Sequence, residues 1–287
     1  IGTGPTGQGH ETTWAQIVGD GLGISVDRIR VLHGDTREHP MGIGTFGSRS
    51  IAVDGAATYE ATLKVREKAA KLAAHLLEAA EGDIVFADDG AHVAGSPDQR
   101  VEWAAIAKAA YQAHTSPDDV DSGLEAHTAF SPGNATWPFG SHIAVVEVDP
   151  DTGNVELLRY IGVDDCGNEI NPMIVNGQIH GGIAQGAGQA LLEDAIYDGA
   201  GNMLTGSLLD YTIPTATDLP SFELDRTVTP TDVNAMGVKG VGEAGTIGTS
   251  HTIVNAVVDA LSPLGVRHID MPLRPRRVWA AIQEARG

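Results

Sequence analysis

The chain has 287 residues and 42% hydrophobic content, enough for one large or two ordinary domains with a sizeable core. Its formal net charge of −20 argues against a nucleic-acid partner, because phosphate binding needs clustered Lys and Arg. The single cysteine, Cys166, excludes an internal disulfide and fits a reducing, cytoplasmic compartment, and no apolar run approaches the roughly 18 residues of a membrane span.

The first segment is rich in glycine and turn residues. Residues 1–9 predict a loop, and helical spacing of apolar residues predicts a helix over His10–Leu22 that ends at Gly23. Alternation over Arg28–His33 predicts a strand, and a loop is expected over Gly34–Arg49. Because the chain starts inside a glycine-rich loop without Met, we expect a piece of a longer polypeptide or a split subunit.

A long helix is predicted over Ser50–Ala80, with one apolar stripe that packs against the core. A hairpin is expected over Asp83–Val93, turning at Asp88–Gly90, and a shorter helix over Val101–Ala113. The stripe residues of the long helix are Val65, Ala69, Leu72 and Leu76.

The polar residues 114–123 predict an exposed loop and the best place for a domain boundary. We therefore expect one domain over 1–123 and a second over 124–287.

The second domain begins with strands over His142–Val148 and Val155–Val163, joined by the turn Asp149–Gly153. A helix rich in small residues is expected over Ile174–Leu192, and a second hairpin over Ala195–Ile213.

The last predicted elements are helices over Ser250–Leu261, capped by Thr249 or Ser250, and over Arg276–Ala285. Because helices and antiparallel hairpins are mixed, the predicted fold class is α+β, or mixed α/β.

Glycine is over-represented, and it gathers near residues 2–9, 42–47, 177–188 and 237–248. Glu243 stands in the last of these regions, just ahead of a helical pattern. The glycines there permit positive φ angles and close approach to a ligand. By itself, Glu243 is a catalytic base, a loop anchor or an ordinary solvated carboxylate.

Two further loops carry candidate ligand groups. Gly7–Glu11 precedes a helix, where backbone N–H groups hold an anion or simply form a capped turn; Gln8 stands where a nucleotide-binding loop needs lysine. In Gly44–Ser50, three hydroxyls and Arg49 suit phosphate, and the other interpretation is helix capping by Ser50.

A third group of polar residues follows the second strand of the second domain. Asp164–Asn168 is followed by a helix that contains Gln178 and Gln185, whose amides suit hydrogen bonding to a heterocycle. The lone Cys166 is more typical of inert core than of a nucleophile, and the histidines are too scattered to predict a protein-ligated metal site.

Five motifs occur in order along the chain: Gly7–Glu11, Gly44–Ser50, Asp165–Met173, Gly181–Gly186 and Lys239–Gly245. Taken together, they resemble the C-terminal portion of the molybdopterin-binding large subunit of the xanthine oxidase family, over essentially the whole chain. The motif sequences are most similar to those of the aerobic carbon monoxide dehydrogenase and bacterial aldehyde oxidase branch.

The resemblance implies the C-terminal half of a molybdopterin-binding domain, with one cofactor-binding subdomain over 1–123 and another, carrying the glutamate loop, over 124–287. It makes Glu243 the base that takes the Mo–OH proton, with a pKa that burial would raise and Lys239 would lower. The cofactor-binding residues it implies are Gln8, Gly9, His10, Thr45, Phe46, Ser48, Arg49, Ser50, Gln178, Gln185, Lys239, Gly240, Val241 and Gly242.

It also implies cofactors and partners. The cofactor is molybdenum with molybdopterin cytosine dinucleotide, so no metal ligand is expected from protein side chains. The partners are the N-terminal portion of the molybdenum subunit and subunits with FAD and 2Fe–2S clusters. Substrates in this family are aldehydes, N-heterocycles or carbon monoxide, oxidised with water-derived oxygen. The alternative is a non-catalytic structural or assembly fragment. In true carbon monoxide dehydrogenases an upstream active-site loop carries a copper-binding cysteine; that loop falls outside this sequence, so no copper is assigned.

Overall fold

The computed structural model describes residues 1–39, 41–112, 116–117 and 120–287. The chain forms two compact units, which are described separately below. Unit 1 comprises Ile1–Thr136 and Thr231–Val238, and unit 2 comprises Trp137–Pro230 and Lys239–Gly287. Both contain helices and a three-stranded sheet, so the predicted mixed α+β class is confirmed. None of the helices in these ranges is both long and apolar enough to cross a bilayer.

Unit 1 is built on two helices and a meander. Helix α1 spans His10–Leu22, and Gly23 follows in the left-handed conformation, as predicted. A π-helical segment, Ile51–Gly55, leads directly into α2, Ala56–Leu77. The predicted helix over Ser50–Ala80 is therefore present but ends earlier, because Glu78 adopts a left-handed conformation with φ 51°.

The sheet of unit 1 is an antiparallel meander of β1 (Ile84–Ala87), β2 (Gly90–Val93) and β3 (Ser96–Glu102). The predicted hairpin is confirmed: Asp88 and Asp89 have φ 49° and 60°, as a tight two-residue turn requires. Strand β3 was not predicted, and its last two residues lie in the range predicted as a helix.

The core of unit 1 packs the sheet and helix α3 (Trp103–Tyr111) against α2. Ala69 and Leu72 of the predicted stripe are fully buried, but Leu76 is exposed and Leu77 is buried in its place. The predicted end of this shorter helix at Ala113 lies outside the described residues.

The strand predicted over Arg28–His33 in unit 1 is wrong. Val26–Arg28 is a short 3₁₀ helix, and the residues after it have no strand partner in the described part of the chain. Alternation alone does not make a strand when no neighbour accepts its hydrogen bonds. The predicted loops over 34–49 and 114–123 fall partly on Pro40 and on residues 113–115 and 118–119, which lie outside the described residues.

Unit 2 contains a sheet in the order β4 (Phe139–Val148), β5 (Val155–Asp165) and β6 (Phe222–Thr227). The first two strands are the predicted antiparallel hairpin, whose turn is closed by the Gly153 amide donating to the Asp149 carbonyl at 2.8 Å. Strand β6 pairs with β5 in parallel and was not predicted.

Helices α4 (Pro172–Leu191), α5 (Ala244–Leu261) and α6 (Pro275–Arg286) complete unit 2. The first and last match their predictions. Helix α5 begins six residues before Ser250, so capping by Thr249 or Ser250 is wrong. Both side chains are instead buried inside the helix, and the N-cap position belongs to Glu243. The predicted hairpin over Ala195–Ile213 is reduced to one bridge, Tyr197 with Met203.

Glycines let α4 and α5 cross at close range. A Cβ added at Gly245 would lie 2.6 Å from the Ile179 carbonyl oxygen, and one at Gly186 would lie 2.7 Å from Thr249 Cβ. Thr246 Oγ1 donates to the Gly182 carbonyl at 2.8 Å across the same contact. These glycines were predicted to serve close approach to a ligand, but they serve close approach between helices.

The contact-based units do not follow the predicted domain ranges 1–123 and 124–287. Unit 1 continues to Thr136 and includes the segment Thr231–Val238 from the second half of the chain. The functional meaning given to the two ranges stays a prediction.

We expect Gly186→Ala to lower the free energy of unfolding by about 1–3 kcal/mol, because the added methyl group overlaps Thr249 across the helix crossing. The matched control is Gly181→Ala, where nothing lies within 4 Å of the added Cβ and a gain of about 0.4–1 kcal/mol is expected. Chemical denaturation measures both, and equal effects would contradict the packing role.

Candidate functional site

In unit 1, the two glycine-rich loops meet. Gly2 and Gly42 are so close that a Cβ on Gly42 would lie 2.4 Å from the Gly2 carbonyl oxygen. Thr45 Oγ1 donates to the Gly4 carbonyl at 2.8 Å. The structure therefore brings together the opening loop and the Gly44–Ser50 loop, which are more than thirty residues apart in the sequence.

The Gly44–Ser50 loop has a special backbone. Gly44, Gly47 and Ser48 have φ 83°, 60° and 51°, a conformation that Ser adopts only at some cost in strain. The Arg49 guanidinium carbon stacks 4.9 Å from the centre of the Phe46 ring. Ser50 precedes the π-helical segment and makes no side-chain cap, so helix capping does not explain this serine.

Several buried polar atoms of unit 1 have no hydrogen-bond partner within the described chain. Three of them belong to predicted cofactor-binding residues: His10 Nδ1, Arg49 Nη1 and Ser50 Oγ. Such atoms are rare in folded proteins, since each costs about 1–3 kcal/mol when left unpaired. The others are Thr3 Oγ1, Trp14 Nε1, Asp54 Oδ2 and Ser116 Oγ. Apart from Asp54, all these groups are able to donate a hydrogen bond, depending for His10 on its tautomer.

His10 is the first residue of α1 and stacks on Trp14, with ring centroids 4.8 Å apart. Burial lowers the pKa of His10, and Glu11 and Asp54 oppose this shift. Gly9 precedes the helix in the left-handed conformation with φ 71°. The side-chain oxygen Oε1 of Gln8 accepts from the Thr6 amide, so part of this predicted cofactor-binding side chain is used within its own loop.

In unit 2, Glu243 is the N-cap residue of α5, and its side chain is exposed. Its carbonyl oxygen accepts from the Ile247 amide at 3.0 Å. The expected burial of the Glu243 carboxylate is therefore not found within this chain. The carboxylate stands at the positive end of a helix of 18 residues, where negative charge is favoured.

Lys239 has a different partner from the one expected. Its ammonium contacts Asp165 Oδ1 at 2.9 Å, and the two side chains are only 6% and 0% exposed. The ammonium also lies 4.7 Å from the centre of the Phe139 ring. Because this charge is buried and paired, Lys239 anchors the loop before Glu243, and its side chain does not extend to a ligand.

Asp165 is the other end of this anchor, and its motif alone did not predict that role. It also accepts from the Gly167 amide at 3.0 Å and from Thr227 Oγ1 at 3.1 Å. Burial would raise the pKa of Asp165, but hydrogen bonds from Lys239, Gly167, Thr229 and Thr227 outweigh it and lower that pKa. The stabilisation is therefore present at neutral pH and is lost on acidification below the ordinary carboxylate range.

Cys166 follows Asp165 and is buried. Burial, together with Glu169, Asp165 and Asp164, raises the pKa of its thiol to about 11. A thiol with this pKa is a poor nucleophile, so the prediction of an inert cysteine fits the structure. Its carbonyl oxygen accepts from the Lys239 amide at 2.7 Å, which gives the anchor a second attachment.

The remaining predicted residues of unit 2 surround the start of α5 to different degrees. Gln185 Oε1 lies 3.2 Å from Thr246 Oγ1 in the first turn of α5. Gln178 is half-buried two turns earlier on α4. Val241 packs against the core of unit 2. Gly240 is buried and Gly242 is exposed.

These features define a mixed α+β fold, with a cluster of polar loops in one unit and, in the other, a helix whose N-cap position is occupied by Glu243. The chain belongs to the molybdopterin cofactor-binding domain family, whose model matches residues 1–220.

The relatives agree with this family. The chain is 44% identical over 284 residues to the carbon monoxide dehydrogenase large chain of Hydrogenophaga pseudoflava, covering 99% of this chain and 35% of the relative. A Cu,Mo-CO dehydrogenase structure shares 41% identity and a TM-score of 0.90, covering 99% of this chain and 36% of that one.

Quinoline 2-oxidoreductase from Pseudomonas putida 86 is 43% identical with a TM-score of 0.90, covering 98% of this chain and 36% of that one. The chain thus spans about a third of the length of the proteins it matches. The resemblance to the C-terminal portion of the large subunit in this family is confirmed.

We expect Lys239→Ala to lower the free energy of unfolding by about 3–5 kcal/mol, because it leaves the Asp165 carboxylate buried without its counter-charge. The double variant Lys239→Met with Asp165→Leu should recover most of this loss. The control is Arg159→Ala, which breaks an exposed pair with Glu223 at 2.8 Å and should cost far less. Similar losses for Lys239→Ala and Arg159→Ala in chemical denaturation would refute the anchor.

Proposed function

We propose that this chain is part of the large subunit of a molybdenum hydroxylase and that unit 1 helps hold its molybdopterin cofactor. The family model supports the pterin assignment, and the name of one structural relative includes molybdenum. Carbon monoxide dehydrogenase and an N-heterocycle oxidoreductase are similar to this chain at 41–44% identity. The proposed substrates are therefore carbon monoxide, an N-heterocycle or an aldehyde.

The observation that carries this proposal is the set of buried polar atoms without partners at His10, Arg49 and Ser50. A pterin with phosphates offers many acceptors and a few donors, and a guanidinium with hydroxyls suits phosphate oxygens. Asp54 Oδ2 is an acceptor and would suit an N–H group of the same ligand. The donor set of unit 1 thus fits the cofactor.

Other residues contribute through the backbone. Gly44 and Gly47 adopt left-handed conformations that expose loop amides. Thr45 and Phe46 shape this loop through the contacts to Gly4 and Arg49. We also assign Gln8, Gly9 and Ser48 to cofactor binding, together with Gln178, Gln185 and the backbone of Lys239–Gly242.

A bound molybdenum–pterin group supplies oxygen transfer and electron uptake. This chain's own contribution to the reaction is Glu243, which accepts the proton released as the substrate carbon gains oxygen. Its exposed carboxylate and fixed helix start suit a proton acceptor, because the main chain is anchored while the side chain is accessible.

The finer features follow the same proposal. The cofactor is the cytosine dinucleotide form, and the electrons pass to partner subunits with 2Fe–2S clusters and FAD. The N-terminal portion of the molybdenum subunit completes the site, and the complex works in the cytoplasm.

We expect Arg49→Met to lower cofactor retention about 10- to 100-fold, because a charge-assisted hydrogen bond contributes about 1.5–3 kcal/mol. Molybdenum and pterin per polypeptide, measured in the purified complex, test this. The control is Arg37→Met, whose side chain is 89% exposed and pairs with Asp35 in the same unit. If the unaltered complex contains neither molybdenum nor pterin, the chain is a structural or assembly fragment and the proposed function fails.

We expect Glu243→Gln to reduce turnover about 10²- to 10⁴-fold while cofactor content stays unchanged, because the amide cannot accept the proton. Steady-state kinetics of the complex, with cofactor analysis of the same preparation, measure this effect. Glu193→Gln, at a carboxylate that accepts from the Tyr211 hydroxyl in unit 2, is the control and should retain turnover. Full activity of Glu243→Gln would remove its assignment as the base.

A further inference from the structure

A chain of buried hydrogen bonds connects the sheet of unit 2 to the first turns of α5. His142 Nε2 lies 3.2 Å from both carboxylate oxygens of Asp164, and His142 Nδ1 lies 2.7 Å from the Tyr160 hydroxyl. That hydroxyl is 2.7 Å from Thr249 Oγ1, which donates to the Gly245 carbonyl at 2.7 Å. The His142 and Asp164 side chains are only 3% and 4% exposed.

This series of hydrogen bonds ends in an acceptor on each side, the Asp164 carboxylate and the Gly245 carbonyl. The number of protons that it needs can therefore be counted. Between the Asp164 carboxylate and the Gly245 carbonyl there are four contacts. A neutral imidazole, a phenol and a threonine hydroxyl supply one proton each. With a neutral His142, one of the four contacts therefore has no proton. One additional proton on the His142–Asp164 pair satisfies all of them.

Glycines clear the space for this pair from two elements. An added Cβ would lie 2.5 Å from His142 Nδ1 at Gly248 and 2.4 Å from Asp164 Oδ1 at Gly140. Strand β4 and helix α5 thus both leave room for the ring and the carboxylate, and the buried pair is a built feature of unit 2.

Among the described residues, β5 and α5 place titratable or hydroxyl groups beside His142 and its partner Tyr160. From β5 these are Asp164 and Tyr160, and from α5 the hydroxyls of Thr249 and Thr252 face the same hydroxyl group of Tyr160. The charged or titratable residues of α5, His251 and Asp259, are both exposed. Thr252 donates to the Gly248 carbonyl at 2.8 Å, so its proton does not lie between Tyr160 and Thr249.

Tyr160 keeps its proton across the physiological range. Burial raises the pKa of its hydroxyl to about 12, although the neighbouring hydroxyls of Thr249 and Thr252 oppose this rise. The Tyr160 proton is therefore one of the three that the network always holds.

We propose that the His142–Asp164 pair holds this fourth proton and that His142 is thereby a positioning residue for the first turns of α5. Through Tyr160 and Thr249 it holds the Gly245 carbonyl, two residues after the N-cap residue Glu243. The consequence for turnover rests on the proposed function of Glu243, whereas the ordering of the helix start does not.

The test is hydrogen exchange of the segment 244–252, measured by mass spectrometry on the assembled protein from about pH 6 to about pH 9, with the chemical exchange rate corrected. The closed network binds one proton more than the open one, so its stability is present at lower pH and is lost as pH rises. For the unaltered protein we expect the opening equilibrium to increase as pH rises, by at most about tenfold per pH unit, which is the limit for one proton.

Two variants separate proton holding from simple structural support. In Asp164→Asn the amide donates to His142 Nε2, the imidazole proton moves to Nδ1, and four protons serve four contacts at every pH. We therefore expect exchange at 244–252 to stay slow and independent of pH. In His142→Gln the side chain donates to Asp164 and accepts from Tyr160, which leaves one contact unfilled, so exchange should be fast at every pH.

The matched controls are His268→Gln and Asp270→Asn, which alter an exposed pair at 2.9 Å in the same unit and should leave exchange at 244–252 unchanged. The proposal is overturned if Asp164→Asn exchanges as fast as His142→Gln, or if the unaltered protein shows no pH dependence. Because exchange is independent of turnover, either result leaves the proposed function to its own tests.

Discussion

The buried ion pair between Lys239 and Asp165 determines where the glutamate loop lies in unit 2. A buried ammonium cannot leave its carboxylate without a large desolvation cost, so the pair fixes the loop to the end of β5. The Lys239 amide, bound to the Cys166 carbonyl at 2.7 Å, fixes its main chain as well. Four residues later Glu243 begins α5 with an exposed side chain. The anchor thus combines a rigid backbone with an accessible carboxylate, which is the combination that a proton acceptor needs.

The two units differ in whether their buried polar groups have hydrogen-bond partners. In unit 2, Asp165 accepts from several donors, and each polar side chain from Asp164 to Thr249 has a partner within hydrogen-bond distance. In unit 1, buried atoms of His10, Arg49 and Ser50 have no partner within the described chain. A satisfied network rigidifies its surroundings, whereas unpaired donors are costly unless a ligand supplies acceptors. This contrast favours unit 1 as the place where the pterin cofactor is held.

Much of the local structure was predictable, because it depends on residues close in sequence. Helix α1 follows from helical spacing that ends at Gly23, and the β1–β2 hairpin follows from Asp88–Gly90. The failures involve distant partners. The residues around 28–33 alternate but find no neighbouring strand, and β6 pairs with β5 across about sixty residues. For the site, resemblance supplied Arg49, Ser50 and Glu243, whereas Asp165 was noticed as part of a motif without its role.

By itself, the sequence determined the mixed helix and strand content, most helix positions, the family and the residues that carry its motifs. Only the tertiary structure decided what several of those residues do. Lys239 carries a charge suited to a ligand, yet burial requires that it pair with Asp165. Gly186 and Gly245 suit a ligand-binding loop, yet they let α4 and α5 approach. Thr249 looks like a helix cap, yet it is buried in the helix interior beside Tyr160. The physical reason is that burial and partners depend on contacts between distant segments, which residue type and spacing do not specify.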